Sequence, residues 1–169
     1  MLFRSQKSGK WGFIDKTGKV IIEHKYNEIG DFSDGLVRVK LNGRWRYVDK
    51  NDTLVLTVPY NNVGDFSEGL AKFIDGRNKS GFIDKLGQVI IQPIFDSNSS
   101  SMNLSFNNGI APIQKNGQWG YIDKTGTMII EPQFSEAGSF LNKFAKVKKG
   151  NDAFFINSKG ELIVDWSKL

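Results

Sequence analysis

The sequence predicts an all-β protein built from tandem repeats. Three observations carry that expectation. A short aromatic motif recurs five times along the 169 residues. Each copy is followed by the same order of turn residues and short apolar runs. Glycine and aromatic residues are both plentiful, at 18 glycines and 12% aromatics, the pairing expected of short strands joined by tight turns.

The motif begins at Trp11-Gly12-Phe13-Ile14-Asp15 and returns as Trp45-Arg46-Tyr47-Val48-Asp49, Ser80-Gly81-Phe82-Ile83-Asp84 and Trp119-Gly120-Tyr121-Ile122-Asp123. A degraded fifth copy is Ala153-Phe154-Phe155-Ile156-Asn157. The starts at 11, 45, 80, 119 and 153 are spaced 34, 35, 39 and 34 residues apart. Apolar runs follow in step: Val20-Ile21-Ile22, Leu54-Val55-Leu56, Val89-Ile90-Ile91, Met128-Ile129-Ile130 and Leu162-Ile163-Val164. Next come the aromatics Tyr26, Tyr60, Phe95 and Phe134, then Phe32, Phe66, Phe106 and Phe140. Phe106 stands five residues later than its counterparts, so the third copy carries an insertion.

Each repeat reads as three strands. In the second copy, Leu36 to Lys40 alternates Val37 and Val39 with Arg38 and Lys40, the period of a half-buried strand. Asn42-Gly43 then supplies a two-residue hairpin turn, which needs φ > 0 at both positions, and Asn116-Gly117 repeats it. Trp45 to Asp49 is the second strand and the apolar run near Leu54 the third. Between them, Asp opens a turn and Gly closes it. The expected meanders are 2–22, 36–56, 70–91, 110–130 and 144–164, within one repeat domain over 1–169. The linkers place apolar anchors three apart, such as Tyr26, Ile29 and Phe32, which reads as an irregular pinned segment and not a strand.

Both faces of the second and third strands carry apolar residues, Phe13 against Ile14 and Ile21 against Ile22, so both faces should be covered. Stacked meanders would do this, either in a propeller-like ring or in an open β-solenoid. A period near 34 residues is short for a four-stranded blade, which takes about 40–45 residues, and this keeps the open form in play.

The run Trp119-Gly120-Tyr121-Ile122-Asp123-Lys124-Thr125-Gly126 through Ile129-Ile130-Glu131-Pro132 resembles the WG-repeat family of bacterial proteins. Asp65-Phe66-Ser67-Glu68-Gly69-Leu70-Ala71 is similar to the second half of that repeat. The resemblance covers essentially the whole chain, with Arg46 for Gly, Ser80 for Trp and His24 for Pro as departures. It implies a β-rich structural or interaction module without catalytic residues.

Composition narrows the chemistry. There is no cysteine and one histidine, His24, so disulfides, thiolate catalysis and sites needing two imidazoles are excluded. The net charge of +5 is spread singly among carboxylates, so nucleic acid is not the expected partner. No apolar run reaches membrane-spanning length, and Met1 to Lys7 lacks the apolar stretch of a signal peptide, which favours a cytoplasmic setting. Asp15, Asp49, Asp84 and Asp123 read as turn caps more readily than as calcium ligands. Trp11, Trp45 and Trp119 read as filler between stacked repeats, with an aromatic sugar platform as the alternative. His24 beside Glu23 reads as a solvated loop histidine. The insertion Ser97, Asn98, Ser99, Ser100, Ser101, Met102, Asn103, Leu104 and Ser105 is polar and is the candidate binding loop, expected to be the least ordered internal stretch. The expected function is non-enzymatic and cofactor-free: protein or peptide binding on a repeat surface. The alternative is carbohydrate or small-ligand binding at the loops between units.

Overall fold

The computed structural model describes residues 2–97 and 105–165. Seven residues of the candidate loop, Asn98, Ser99, Ser100, Ser101, Met102, Asn103 and Leu104, lie outside the described residues, so the expectations placed on them are not addressed. All regular structure in the described residues is β-strand. The chain forms β1 (Phe3–Lys7), β2 (Lys10–Ile14), β3 (Val20–Tyr26), β4 (Glu28–Ile29), β5 (Val37–Leu41), β6 (Arg44–Val48) and β7 (Leu54–Thr57). It continues with β8 (Asn62–Val63), β9 (Leu70–Ile74), β10 (Lys79–Asp84), β11 (Val89–Asp96), β12 (Ile110–Lys115), β13 (Gln118–Asp123) and β14 (Met128–Phe134). The last strands are β15 (Glu136–Ala137), β16 (Ala145–Lys149), β17 (Asp152–Ile156) and β18 (Leu162–Asp165).

Sequential strands pair throughout. β1-β2-β3 forms a three-stranded sheet, and β4 to β7 and β15 to β18 form four-stranded sheets. β8 to β14 form a seven-stranded sheet in chain order, in which one residue pair, Asp96 with Gln114, joins two repeats. All of these pairings are antiparallel, for example Val37 with Val48 and Leu41 with Arg44.

The expected hairpin turns are present. Asn42 and Gly43 take φ of 52° and 78°, and Asn116 and Gly117 take 52° and 77°. A second set of tight turns closes the linkers. Ser33 and Leu36 exchange backbone hydrogen bonds around Asp34-Gly35, and Ser67 and Leu70 do so around Glu68-Gly69. The acidic-Gly and Asn-Gly dipeptides at these positions carry the same turn chemistry as Asn42-Gly43.

The linkers correct one expectation. Glu28–Ile29 pairs with Lys40 and Val39, Asn62–Val63 with Ile74 and Phe73, and Glu136–Ala137 with Lys148 and Val147. These segments are therefore two-residue strands and not irregular anchors. The Asn27 and Gly30 N–H groups donate to the Lys40 and Arg38 carbonyls at 2.8 Å, so the linker backbone is satisfied where it turns inward. Where a linker strand is present, the three-stranded meander becomes a four-stranded unit. A first strand of two residues is what lets a short period hold four strands.

The Gly of the Trp-Gly pair has a structural cause. Where it is present, the third strand is bulged: Trp11 pairs with Tyr26 but Phe13 with Ile22. The bulge carries backbone onto the glycine. A Cβ on Gly120 would lie 2.5 Å from the Ile130 oxygen and 2.8 Å from the Pro132 nitrogen. Gly12 and Gly81 meet the Ile22 and Ile91 carbonyls in the same way. In the second repeat Arg46 pairs directly with Thr57 without that bulge, and β7 is correspondingly short. The third strands with glycine run to Tyr26, Asp96 and Phe134, past the meander ends expected from sequence.

The core lies between repeats. One cluster joins Phe13, Ile22 and Tyr26 to Val37, Val39 and Val48 of the next repeat. The same positions recur as Tyr47 and Phe66 with Ala71, Phe73 and Ile83, and as Phe82, Ile91 and Phe106 with Ala111, Ile113 and Ile122. The last cluster joins Tyr121, Ile130 and Phe140 to Ala145, Val147 and Ile156. Each repeat thus has a forward face of large residues and a back face of smaller ones. Four aromatic pairs tie linker to second strand, Phe13–Phe32, Tyr47–Phe66, Phe82–Phe106 and Tyr121–Phe140, at centroid distances of 4.8, 4.6, 4.9 and 5.0 Å. The Tyr47 and Tyr121 hydroxyls also donate to the carbonyls of Gly64 and Gly138, at 2.7 and 2.9 Å. Full burial of such side chains contributes about 1.5–3 kcal/mol each.

The expectation that both apolar faces are covered is only half met. Ile22, Ile91 and Ile130 are buried, whereas Ile21, Ile90 and Ile129 are exposed. Stacking covers one face of each third strand and leaves the start of the strand exposed, with or without the bulge.

Candidate binding surface

The residues singled out for chemistry are occupied by structure. The Asp15 Oδ1 accepts the Thr17 N–H at 2.8 Å, the Thr17 hydroxyl at 2.6 Å and the Lys19 N–H at 3.1 Å. Asp49 caps Asn51 and Thr53, Asp84 caps Leu86 and Gln88, and Asp123 caps Thr125 and Thr127. Asn157 does the same for Lys159 and Glu161. These hydrogen bonds favour the ionised form and hold the Asp15, Asp49 and Asp123 carboxyls below the usual range. No group of three acidic, His or Cys residues arranged to hold a metal ion occurs among the described residues.

Trp45 and Trp119 are buried in the inter-repeat clusters, and Trp11 is half-buried at the edge of its cluster. The Trp45 indole donates to the Asn61 carbonyl at 3.1 Å. His24 lies on β3 and not in a loop. Its Nε2 is 2.7 Å from the Ser5 hydroxyl, reaching across Gly12. Ser97, at one end of the candidate loop, donates to the Asn78 carbonyl at 2.8 Å. Ser105, at the other end, lines a cavity formed where the linkers converge.

That cavity, of about 590 Å³, is lined by Arg4, Asp31, Ser33, Arg38, Asp65, Ser67 and Ser105 among others. Its charges are mutually satisfied. The Arg38 Nε donates to Asp65 at 2.9 Å and its Nη1 to the Val63 carbonyl at 2.6 Å, while Arg4 lies 3.2 Å from Asp31. Burial pushes the Asp65 carboxyl up, against the opposing pull of Arg38. A ligand here would have to break existing ion pairs before making its own.

The rim differs. Val20, Ile21, Leu54, Val55, Val89, Ile90, Ile129, Leu162 and Ile163 are each between 37% and 55% exposed. They open the third strand of successive repeats, so they recur with the repeat. Among the described residues, β3, β7, β14 and β18 are also the last strands of their sheets, paired on one side only. The rim therefore offers aliphatic side chains next to strand edges with free backbone donors and acceptors, the combination that accepts an added strand. The period-2 reading of the apolar runs could not separate these outward residues from their buried neighbours.

The family model described as "WG containing repeat" matches residues 11–45, 45–76, 81–119 and 119–151. No curated protein matches the sequence. Among solved structures, BamB from Moraxella catarrhalis is similar at a TM-score of 0.59 and 14% identity, over 99% of this chain and 58% of that one. A eukaryotic initiation factor is similar at a TM-score of 0.64 and 12% identity, over 97% of this chain and 52% of that one. The computationally designed Ika4 protein is similar at a TM-score of 0.51 and 13% identity, over 75% of this chain and 87% of that one. The chain thus spans little more than half the length of the first two. The structural neighbours include β-propellers, and the likeness makes the fold propeller-like.

Proposed function

The chain belongs to the WG-repeat family, and from that premise we propose that it is a non-enzymatic interaction scaffold that binds protein or peptide segments on its rim. In this reading five units stack in a propeller-like array and present their third strands outward. The observation that carries the reading is the exposed aliphatic pair that recurs at the start of those strands, beside unpaired strand edges. Scattered exposed aliphatics need no explanation, but these recur in register with the repeat, at the same strand position each time. An extended peptide added to such an edge gains main-chain hydrogen bonds and places alternate side chains on the aliphatic row.

Carbohydrate binding at the loops between units is the alternative reading. It needs exposed aromatic faces, and the burial of Trp45 and Trp119 speaks against it. Selection of a displayed peptide library against the chain, run beside a glycan panel, separates the two. Peptides rich in β-branched and aromatic residues whose binding is lost in Val55→Lys and Ile90→Lys support the rim reading. Glycan binding that persists in both variants would replace it.

A further inference from the structure

The second repeat departs from the others at one motif residue, and the departure places charge beside the rim. The glycine at positions 12, 81 and 120 is Arg46 here. Arg46 pairs with Thr57 in ordinary register, without the bulge that a glycine admits. β7 ends at Thr57, short of Tyr60, whereas β3 and β14 run on to the corresponding Tyr26 and Phe134. The Val58 N–H still donates to the Trp45 carbonyl at 3.3 Å, but Pro59 has no N–H to continue the ladder. Where the chain leaves the sheet early, a cleft of about 480 Å³ opens, lined by Arg44, Thr57, Val58, Pro59 and Tyr60 among others.

Two cations at this place lack acids. Arg44 and Arg46 stand two apart on β6 and so share one face of the strand. Among the described residues neither forms an ion pair, and the buried Nε of Arg46 has no hydrogen-bond partner. The other three arginines, Arg4, Arg38 and Arg77, each meet a carboxylate. The acid of the adjoining turn, Asp52, is already engaged, because the Tyr26 hydroxyl and the Lys25 Nζ both donate to it. A buried guanidinium donor without an acceptor is costly, and a carboxylate offers it the strong, charge-assisted bond it lacks.

We propose that Arg46, with Arg44 beside it, selects a carboxylate on the peptide that the rim receives. The proposal rests on the rim reading and adds a partner chemistry to it. Thr57 is the residue between Arg46 and a strand added to β7, and it is short enough for a guanidinium to reach past. The net charge of +5 opposes no acidic partner. An aspartate or glutamate side chain and a peptide C-terminus supply the same group, and the experiment separates them.

The test uses synthetic peptides of alternating valine and threonine, each with one Glu or one Gln scanned along it, and each with a free or an amidated C-terminus. Binding to the full chain is measured by fluorescence anisotropy at low and high salt. At one position the Glu peptide should bind about tenfold tighter than its Gln counterpart, and salt should shrink that advantage. An advantage that instead follows the free C-terminus assigns the arginines to a terminal carboxylate. Arg46→Gln should remove most of the preference while leaving binding of the Gln peptide and the melting temperature nearly unchanged, because no internal ion pair is lost. Arg44→Gln should reduce the preference in the same direction, and the wild-type comparison stands even if a variant fails to fold. Equal binding of Glu, Gln, free and amidated peptides would overturn the proposal, as would a preference indifferent to both substitutions. If Val55→Lys abolishes binding in either case, the rim reading survives without it. Failure of every peptide to bind the wild type would remove the rim reading and the proposal together.

Discussion

At the residue scale, the Trp-Gly pair divides its work. The indole fills the inter-repeat cluster, so Trp119→Ala should destabilise by about 3–5 kcal/mol, read from denaturant unfolding. The glycine admits the bulge, so Gly120→Ala drives a Cβ into the Ile130 carbonyl and should cost about 1–3 kcal/mol although it adds only a methyl. The sequence makes the indole's role legible, but not the glycine's. Nothing in Trp-Gly-Tyr announces that the carbonyl of Ile130, ten positions along the chain and paired with Tyr121, will crowd position 120. Asp123 is ionised more readily in the folded chain than in the unfolded one, because three donors hold its carboxylate. Its contribution is therefore present above the usual carboxylate range and lost as pH falls through it. Asp123→Asn should keep the turn, as Asn157 does naturally, while reducing the acid sensitivity of melting, and Asp123→Ala should lower the melting temperature at neutral pH. Lys72 has the opposite balance. Burial pulls its pKa down to about 8 from 10.5. The folded state therefore disfavours the charged amine: the cost is complete below about pH 8 and fades towards the unfolded value. Lys72→Met should raise the melting temperature at pH 7, with the gain shrinking as pH approaches 10.

At the element scale, long periodic strands were legible and short ones were not. Val37 to Leu41 and Trp45 to Val48 alternate over enough residues to show period two. Glu28–Ile29 has two residues and no period, so its pairing with Lys40 and Val39 emerges only once β5 is in place. The second set of hairpin turns was readable in principle. Asp34-Gly35 and Asn108-Gly109 carry turn chemistry, but the linkers around them lack the flanking strand pattern that made Asn42-Gly43 stand out. The outward face of the third strands was masked by its own composition, because Ile21 and Ile22 look alike and only the stacking of repeats separates them. Substitution there should discriminate binding from folding. Val55→Lys changes an exposed side chain and should shift stability by no more than about 0.5 kcal/mol. The same change places an ammonium on the aliphatic row and should weaken a rim-bound peptide about tenfold or more, measured by calorimetric titration.

At the scale of the whole molecule, the fold follows from units that cannot bury their own faces. Each repeat completes its core only against the next, so stability spreads through neighbouring interfaces and the start of each third strand is left on the rim. Similarity to solved structures at 12–14% identity shows how little of this depends on particular side chains beyond the repeated ones. The central claim is that the rim, and not the polar cavity between the linkers, receives the partner. The direct measurement is amide hydrogen exchange of the chain with and without a peptide obtained by selection. The account predicts slowed exchange in the third strands, across 20–26, 54–57, 89–96 and 128–134, with the linker turns at 31–35 and 65–69 unchanged. Protection confined to those linker turns, with the third strands exchanging as in the free chain, would contradict it.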